Sequence, residues 1–297
     1  MFTETPWDDE VDVLCIGTEG GVLAAGIAAA SAGLDVYLGI TEPTDGDADL
    51  AASLSYGGGD RATTKHLAGF DYAFGKKKSA TTRWPVRTVE DIPPTPRARN
   101  RGSIEPFFGA ALEQWAHRCA AAPNSVLYDR VRDRQMTEMR CSAQGEKIEA
   151  AVVGSLHLSP DLPAVSLITW LKSRAVTVGL QPHTGVRLVR LIFEYGLVGA
   201  LLDTPGGVTA VRANNNLIIG VGDPVTMRTQ PLISGTVPMT ARVCLVSKAA
   251  SRLGELEIVT AAGDEHDLSF VDEPGGRTRA RGERALNYRG VRTTTIG

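Results

Sequence analysis

Only four of the 297 residues are cysteine. Cys15, Cys119, Cys141 and Cys244 stand far apart, and none is paired at a metal or redox spacing. That excludes a disulfide framework and a CxxC site, and the thiols read as small buried hydrophobes. The five histidines, His66, His117, His157, His183 and His266, are equally scattered, so no metal site is expected. No window holds the ~20 uninterrupted apolar residues that a membrane-spanning helix needs. The opening MFTETPWDDE is acidic and lacks the basic start and apolar run of a secretory signal, which points to the cytoplasm. The formal net charge is only −3, which gives no reason to expect a nucleic-acid partner.

What is present is an ordinary globular composition, 43% hydrophobic and 22% charged. A chain of this length buries about 75% of the surface its unfolded form exposes, and one large domain or two modest ones fit it.

The clearest local signal lies in the first forty residues. Val11 to Ile16, VDVLCI, is an apolar run between acids and a glycine, as in a buried parallel strand. Gly17 to Gly21 reads as a turn. Val22 to Ala32 is small and apolar almost all round, a helix that must pack closely, and Gly33 ends it as a C′ residue. Asp35 to Ile40 is the second strand. Strand, turn, helix and strand in that order imply a right-handed crossover and a parallel sheet.

Further on, Thr41 to Asp60 reads as a loop that closes on Tyr56-Gly57-Gly58-Gly59. Residues 62–102 read as a long irregular basic loop with Lys76, Lys77, Lys78, Arg83, Arg87, Arg97, Arg99 and Arg101 among its cations. Pro106 to Ala121 reads as a helix whose Phe108, Leu112, Trp115 and Cys119 share a face. A second helix spans Ala164 to Val178, stopped by Gly179. Val186 to Phe193 is a strand. Leu197 to Leu202 and Val208 to Val211 flank Pro205-Gly206-Gly207 as a hairpin, and Leu217 to Val221 is another strand. Val237 to Val246 and Leu253 to Thr260 are β segments. These readings divide the chain into an α/β unit over 1–231, a β-rich extension over 232–273 and a disordered basic tail over 274–297.

The turn after the first strand stands where a dinucleotide-binding fold carries G-x-G-x-x-G. Here it is Gly17-Thr18-Glu19-Gly20-Gly21-Val22, a degenerate form. Glu19 replaces the second glycine, so a negative side chain stands where a pyrophosphate would lie. An acid at a helix N-terminus is also a plain structural choice. The ribose-binding acid expected at the end of the second strand is Ile40, with Glu42 two residues on.

With that unit and the Gly57-Gly58-Gly59 run in view, the chain resembles the flavoprotein family of fumarate reductases and 3-ketosteroid dehydrogenases. The quoted likeness rests on VDVLCIG and GLDVYL, on SLSYGGG, on IEPFFGAALEQWAHRC with SVLYDRV as an early helical part, and on GVRLVRLIFEYGLVGALLDTPGGVTAVRANNNLIIGVG. It covers about two-thirds of the chain. The resemblance implies a Rossmann-like FAD-binding domain with a parallel sheet and a β-hairpin-rich C-terminal portion. It implies FAD held by Gly17, Thr18, Gly20, Gly21 and Glu42. Ser55, Gly57 and Gly58 would line the isoalloxazine side, Leu188 would read adenine through its backbone, and Gly220 would lie near the cofactor, with Gly222 beside it.

Three functions remain open at this point. One is an FAD-dependent oxidoreductase acting on a ketosteroid-like or enoate small molecule, with a partner chain completing the pocket. The second is a non-catalytic pseudo-flavoprotein, an interaction subunit meeting a protein partner or a second copy through the basic loop and tail. The third is a nucleotide-binding regulator using Gly20 and Gly21. No catalytic residue is assigned; Tyr56, Tyr72, Tyr128 and Tyr195 qualify by type alone.

Overall fold

The computed structural model describes residues 6–42, 50–70, 73, 84–90, 109–131, 136–141, 146–221 and 230–271. The chain opens as β1 (Asp9–Gly17), α1 (Glu19–Ser31) and β2 (Val36–Thr41). β1 and β2 pair in parallel, with Val13 opposite Val36 and Gly17 opposite Ile40. Gly33 has φ 79° and closes α1 as expected. The turn is shorter than the sequence suggests. Helix geometry starts at Glu19, so Gly17 and Thr18 alone join strand to helix and the glycines at 20 and 21 belong to the first helical turn.

After β2 come α2 (Leu50–Ser53), α3 (Arg61–Ala68), β3 (Val86–Glu90) and α4 (Gly109–Ala121). Two of these correct the long irregular loop read over 62–102. α3 is fixed at its start by Asp60, whose carboxylate accepts the Thr63 N–H at 2.7 Å, and β3 pairs with other strands. Residues 71–72, 74–83 and 91–102 of that loop, Tyr72 among them, and the tail from 274 lie outside the described residues, as do Phe108 and Gly222. In α4, Trp115 and Cys119 are buried on the expected face.

The chain continues as β4 (Ser125–Arg130), β5 (Thr137–Cys141), β6 (Lys147–Leu158), α5 (Leu167–Thr177), β7 (His183–Glu194), β8 (Gly196–Thr204) and β9 (Gly207–Val221). It ends as β10 (Leu232–Gly235), β11 (Met239–Ser247), β12 (Leu253–Ala261) and β13 (Leu268–Val271). SVLYDR is a strand and not helical, because its alternating side chains are needed on two faces. Val126 and Tyr128 join the apolar layer of α1, while Leu127 joins the cluster on the other face. Leu217 to Val221 is not a strand of its own. It completes the 15-residue β9, which runs through Asn214, Asn215 and Asn216 without a break.

Eleven strands form one mixed sheet, in the order β1-β2-β7-β8-β9-β4-β12-β11-β6-β5-β3, with β1 also paired to β9 and β12 to β3. The pairings therefore close two circuits. One contains β1, β2, β7, β8 and β9; the other contains β3, β5, β6, β11 and β12. β4 joins them by pairing with β9 and β12. The expected parallel sheet is thus only part of the architecture. β1–β2, β1–β9, β2–β7 and β3–β12 are parallel, and the other pairs of this sheet are antiparallel. The predicted hairpin is present, with Thr204 opposite Gly207. β11 and β12, read as part of an extension after residue 231, lie in the same sheet as β1.

α1 lies on one face of this sheet, with α5 against it. Nine of its 13 residues are buried, among them Val22, Leu23, Ala24 and Ile27. Alanine and glycine permit that approach. A Cβ on Gly26 would stand 2.9 Å from Leu38 Cδ1. Among the described residues, no helix is long and apolar enough to cross a membrane.

Candidate functional site

The N-terminus of α1 carries the fold's first chemical feature. A helix leaves its first N–H groups without intrahelical partners and concentrates partial positive charge there. Thr18 is the N-cap by position, but its hydroxyl makes no capping bond. Thr18 is 1% exposed, and its Oγ1 has no hydrogen-bond partner among the described residues. Two more buried side chains, one of them against Gly20, are incompletely satisfied among the described residues. Asn124 donates from Nδ2 to Gln230 Oε1 at 3.0 Å, which leaves Asn124 Oδ1 and Gln230 Nε2 unpaired. Each such atom costs about 1–3 kcal/mol of desolvation.

Glu19 does not present an uncompensated charge to this end. Its carboxylate meets Lys172 Nζ, from α5, at 2.8 Å. The lysine lies far off in sequence, which is why the turn alone suggested a repulsive site.

The glycines divide by what they touch. At Gly17, with φ 129°, a Cβ would collide with the Gly220 main chain, and at Gly220 it would collide with Val22 and stand 2.7 Å from Thr18 O. At Gly21 it would stand 2.5 Å from Ser125 O. These three let β1, β9, β4 and α1 approach one another. At Gly20 the obstacle is different, the Asn124 amide with Ile168 Cδ1 at 3.2 Å.

The other residues named for FAD fall elsewhere. Glu42 is exposed directly after β2, and its carbonyl accepts the Ser55 hydroxyl, so Glu42 and Ser55 are brought together. Ser55 itself has φ 50°. Gly57 and Gly58 are exposed, with open space where a Cβ would be. They lead into α3. Leu188 is buried, and its N–H donates to Leu54 O at 3.0 Å. Ile40 is buried against the α1 layer. A cavity of about 30 Å³ beneath α1, lined by Val13, Ala25, Ala29, Tyr128, Asn216 and Leu245 among others, holds no more than a water or two.

The sequence reading missed two clusters of ionisable groups. In the first, the Asp129 carboxylate, with no exposed side-chain surface, meets His66 Nε2 at 2.8 and 2.9 Å and Arg252 Nη2 at 3.1 Å. Phe70 and Phe193 meet the imidazole edge-on. A histidine oriented by a buried carboxylate is an arrangement capable of proton transfer. In the second, Glu255 and Glu257 of β12 face Arg118 of α4, each at 2.8 Å, and Arg87 of β3 holds Glu257 at 2.5 and 2.9 Å. Arg87 and Lys248 also meet Glu146, at 3.2 and 2.6 Å. All three cations lie within 6 Å of the Trp115 ring centre, at 5.9, 5.3 and 5.5 Å. Burial pushes the Glu255 carboxyl up to about 7, against the pull of Arg118. The only sequence signal was Glu255 and Glu257 at strand spacing in an otherwise apolar run.

All four cysteines are buried free thiols, and burial pushes Cys244 up to about 12. Among the described residues, no group of three His, Cys, Asp or Glu could hold a metal ion.

No protein-family model matches the chain, and no curated protein matches it. Solved structures that resemble it include a geranylgeranyl bacteriochlorophyll reductase-like protein from Thermoplasma acidophilum. That pair shares 12% identity with a TM-score of 0.27, over 69% of this chain and 38% of the other. A flavocytochrome c3 fumarate reductase shares 15% identity with a TM-score of 0.30, over 72% and 34%. The 3-ketosteroid-Δ4-(5α)-dehydrogenase of Rhodococcus jostii RHA1 shares 17% identity with a TM-score of 0.29, over 73% and 47%. The chain therefore spans between about a third and a half of the length of these structures. At those values the likeness assigns neither fold nor activity.

Proposed function

We propose that this chain binds a phosphate-bearing nucleotide cofactor of the FAD type at the N-terminus of α1, as a divergent, oxidoreductase-like flavoprotein. The observation that carries this reading is the uncapped start of α1, where Thr18 Oγ1 is buried without a partner among the described residues. A phosphate there would accept N–H groups from the first helical turn, at Gly20 and Gly21, and the hydroxyl of Thr18. Lys172 reduces the repulsion from Glu19. Gly17 and Gly220 support the turn by letting two strands and the helix touch. The residues fit a phosphate group better than they fit a whole FAD. The Leu188 N–H is occupied by Leu54, and Gly57 and Gly58 stand exposed.

A bound flavin supplies hydride transfer, while a protein's part is to hold and orient the cofactor and exclude water. Within this reading, Glu42, Ser55, Gly57 and Gly58 form the rim toward the ring system, and a partner chain or second copy completes the pocket through the basic loop and tail. The substrate is a ketosteroid-like or enoate small molecule. The test is the visible absorption of the full chain, purified without cofactor and again after addition of FAD. Flavin bands that stay with the protein through gel filtration support the reading. A colourless chain that ignores FAD overturns it and leaves an interaction subunit, to be traced by co-purification.

A further inference from the structure

We propose that the Asn124–Gln230 amide pair is a gate on the N-terminus of α1, closed in this structure and opened by rotation of the Asn124 side chain. The inference rests on the phosphate-binding reading of that helix end. Of the glycines around the turn, Gly17 and Gly21 face main-chain atoms of neighbouring strands, and Gly220 faces Val22 Cγ2 together with the Thr18 carbonyl. Gly20 faces the far end of a side chain. The Asn124 amide oxygen stands 2.0 Å from where a Cβ of Gly20 would be, so the amide packs against the side of the first helical turn.

The backbone of Asn124 is fixed, because its carbonyl accepts the Leu256 N–H at 3.2 Å and Ser125 continues into β4. Among the described residues its side chain is held by one bond, 3.0 Å, to Gln230. Two amides joined once leave one donor and one acceptor over, and exchanging O and N in both amides leaves the same remainder. Asn124 is 2% and Gln230 7% exposed, so those remaining groups find no water. The closed pair is therefore weakly held for a buried contact. Opening it brings the amides to solvent and uncovers the N–H groups of Gly20 and Gly21. A ligand then competes with the closed state, and its apparent affinity falls by the closed fraction.

The test uses the full chain with pyrophosphate as probe. Backbone amide shifts of Gly20 and Gly21 are followed by NMR, and affinity is measured by calorimetry. Asn124→Ala removes the blocking amide and is expected to bind about tenfold tighter than the parent, the equivalent of one lost buried hydrogen bond. Gln230→Ala, which keeps the α4–β4 junction intact, is expected to shift affinity the same way by less, and it serves if Asn124→Ala fails to fold. Asn124→Asp places a negative charge at the same point and is expected to weaken binding. Equal or weaker binding by both alanine variants overturns the gate while leaving the phosphate reading in place. No movement of the Gly20 and Gly21 amides in any variant overturns both.

Discussion

Glu255 offers the sharpest physical test of the fold. It is buried between β12 and α4, and its carboxyl is pushed from an ordinary 4.5 up to about 7 by loss of water, with Arg118 pulling it back and Glu257 pushing it further. The folded chain therefore holds this proton more tightly than the unfolded chain between pH 4.5 and about 7. Its stabilising contribution is fully present below pH 4.5 and is lost as pH rises through about 7. A shift of this size corresponds to roughly 3 kcal/mol between pH 4.5 and 8. Glu255→Gln keeps an acceptor for Arg118 and removes the proton. Arg118 also retains Glu257 at 2.8 Å. Urea unfolding at pH 5, 6, 7 and 8 is the assay. The parent is expected to lose about 2.5 kcal/mol more than Glu255→Gln over that range, a difference of about 1 M in midpoint. Titrating groups remote from Glu255 are common to both chains and cancel. Parallel pH profiles for parent and variant would refute the burial argument.

Gly17→Ala combines a left-handed backbone with collision against Gly220, and should cost at least about 3 kcal/mol in thermal or urea unfolding. Gly33→Ala, also left-handed but in open space, should cost only the backbone strain, about 1–2 kcal/mol. The double change His66→Ala with Arg252→Ala leaves the Asp129 carboxylate buried and uncompensated. It should cost about 3–5 kcal/mol and exceed the sum of the single changes in a double-mutant cycle. Lys172→Ala breaks a partly exposed pair and should change stability by less than about 1 kcal/mol. It should nonetheless weaken pyrophosphate binding several-fold, because Glu19 then meets the ligand uncompensated.

Local chemistry alone determined the opening β1–α1–β2 unit. An apolar run, a glycine turn, a small-residue helix and Gly33 are signals that need nothing beyond their own neighbours. The Gly179 stop and the β8–β9 hairpin around Pro205-Gly206-Gly207 were legible for the same reason. Only the tertiary structure decided the rest. SVLYDR became β4 because it fills the seam between β9 and β12. β9 continues through three asparagines by a shift of register against β1, where Val13 faces Asn216 and the Asn215 amide donates to Asp12. Glu255 and Glu257 could enter the interior only because Arg87 and Arg118, more than a hundred residues away, meet them there. The candidate site divides the same way. The glycines and Thr18 announced a helix N-terminus, but the Lys172 partner of Glu19 and the Asn124 amide over Gly20 come from distant elements, and sequence periodicity carries no trace of such pairings.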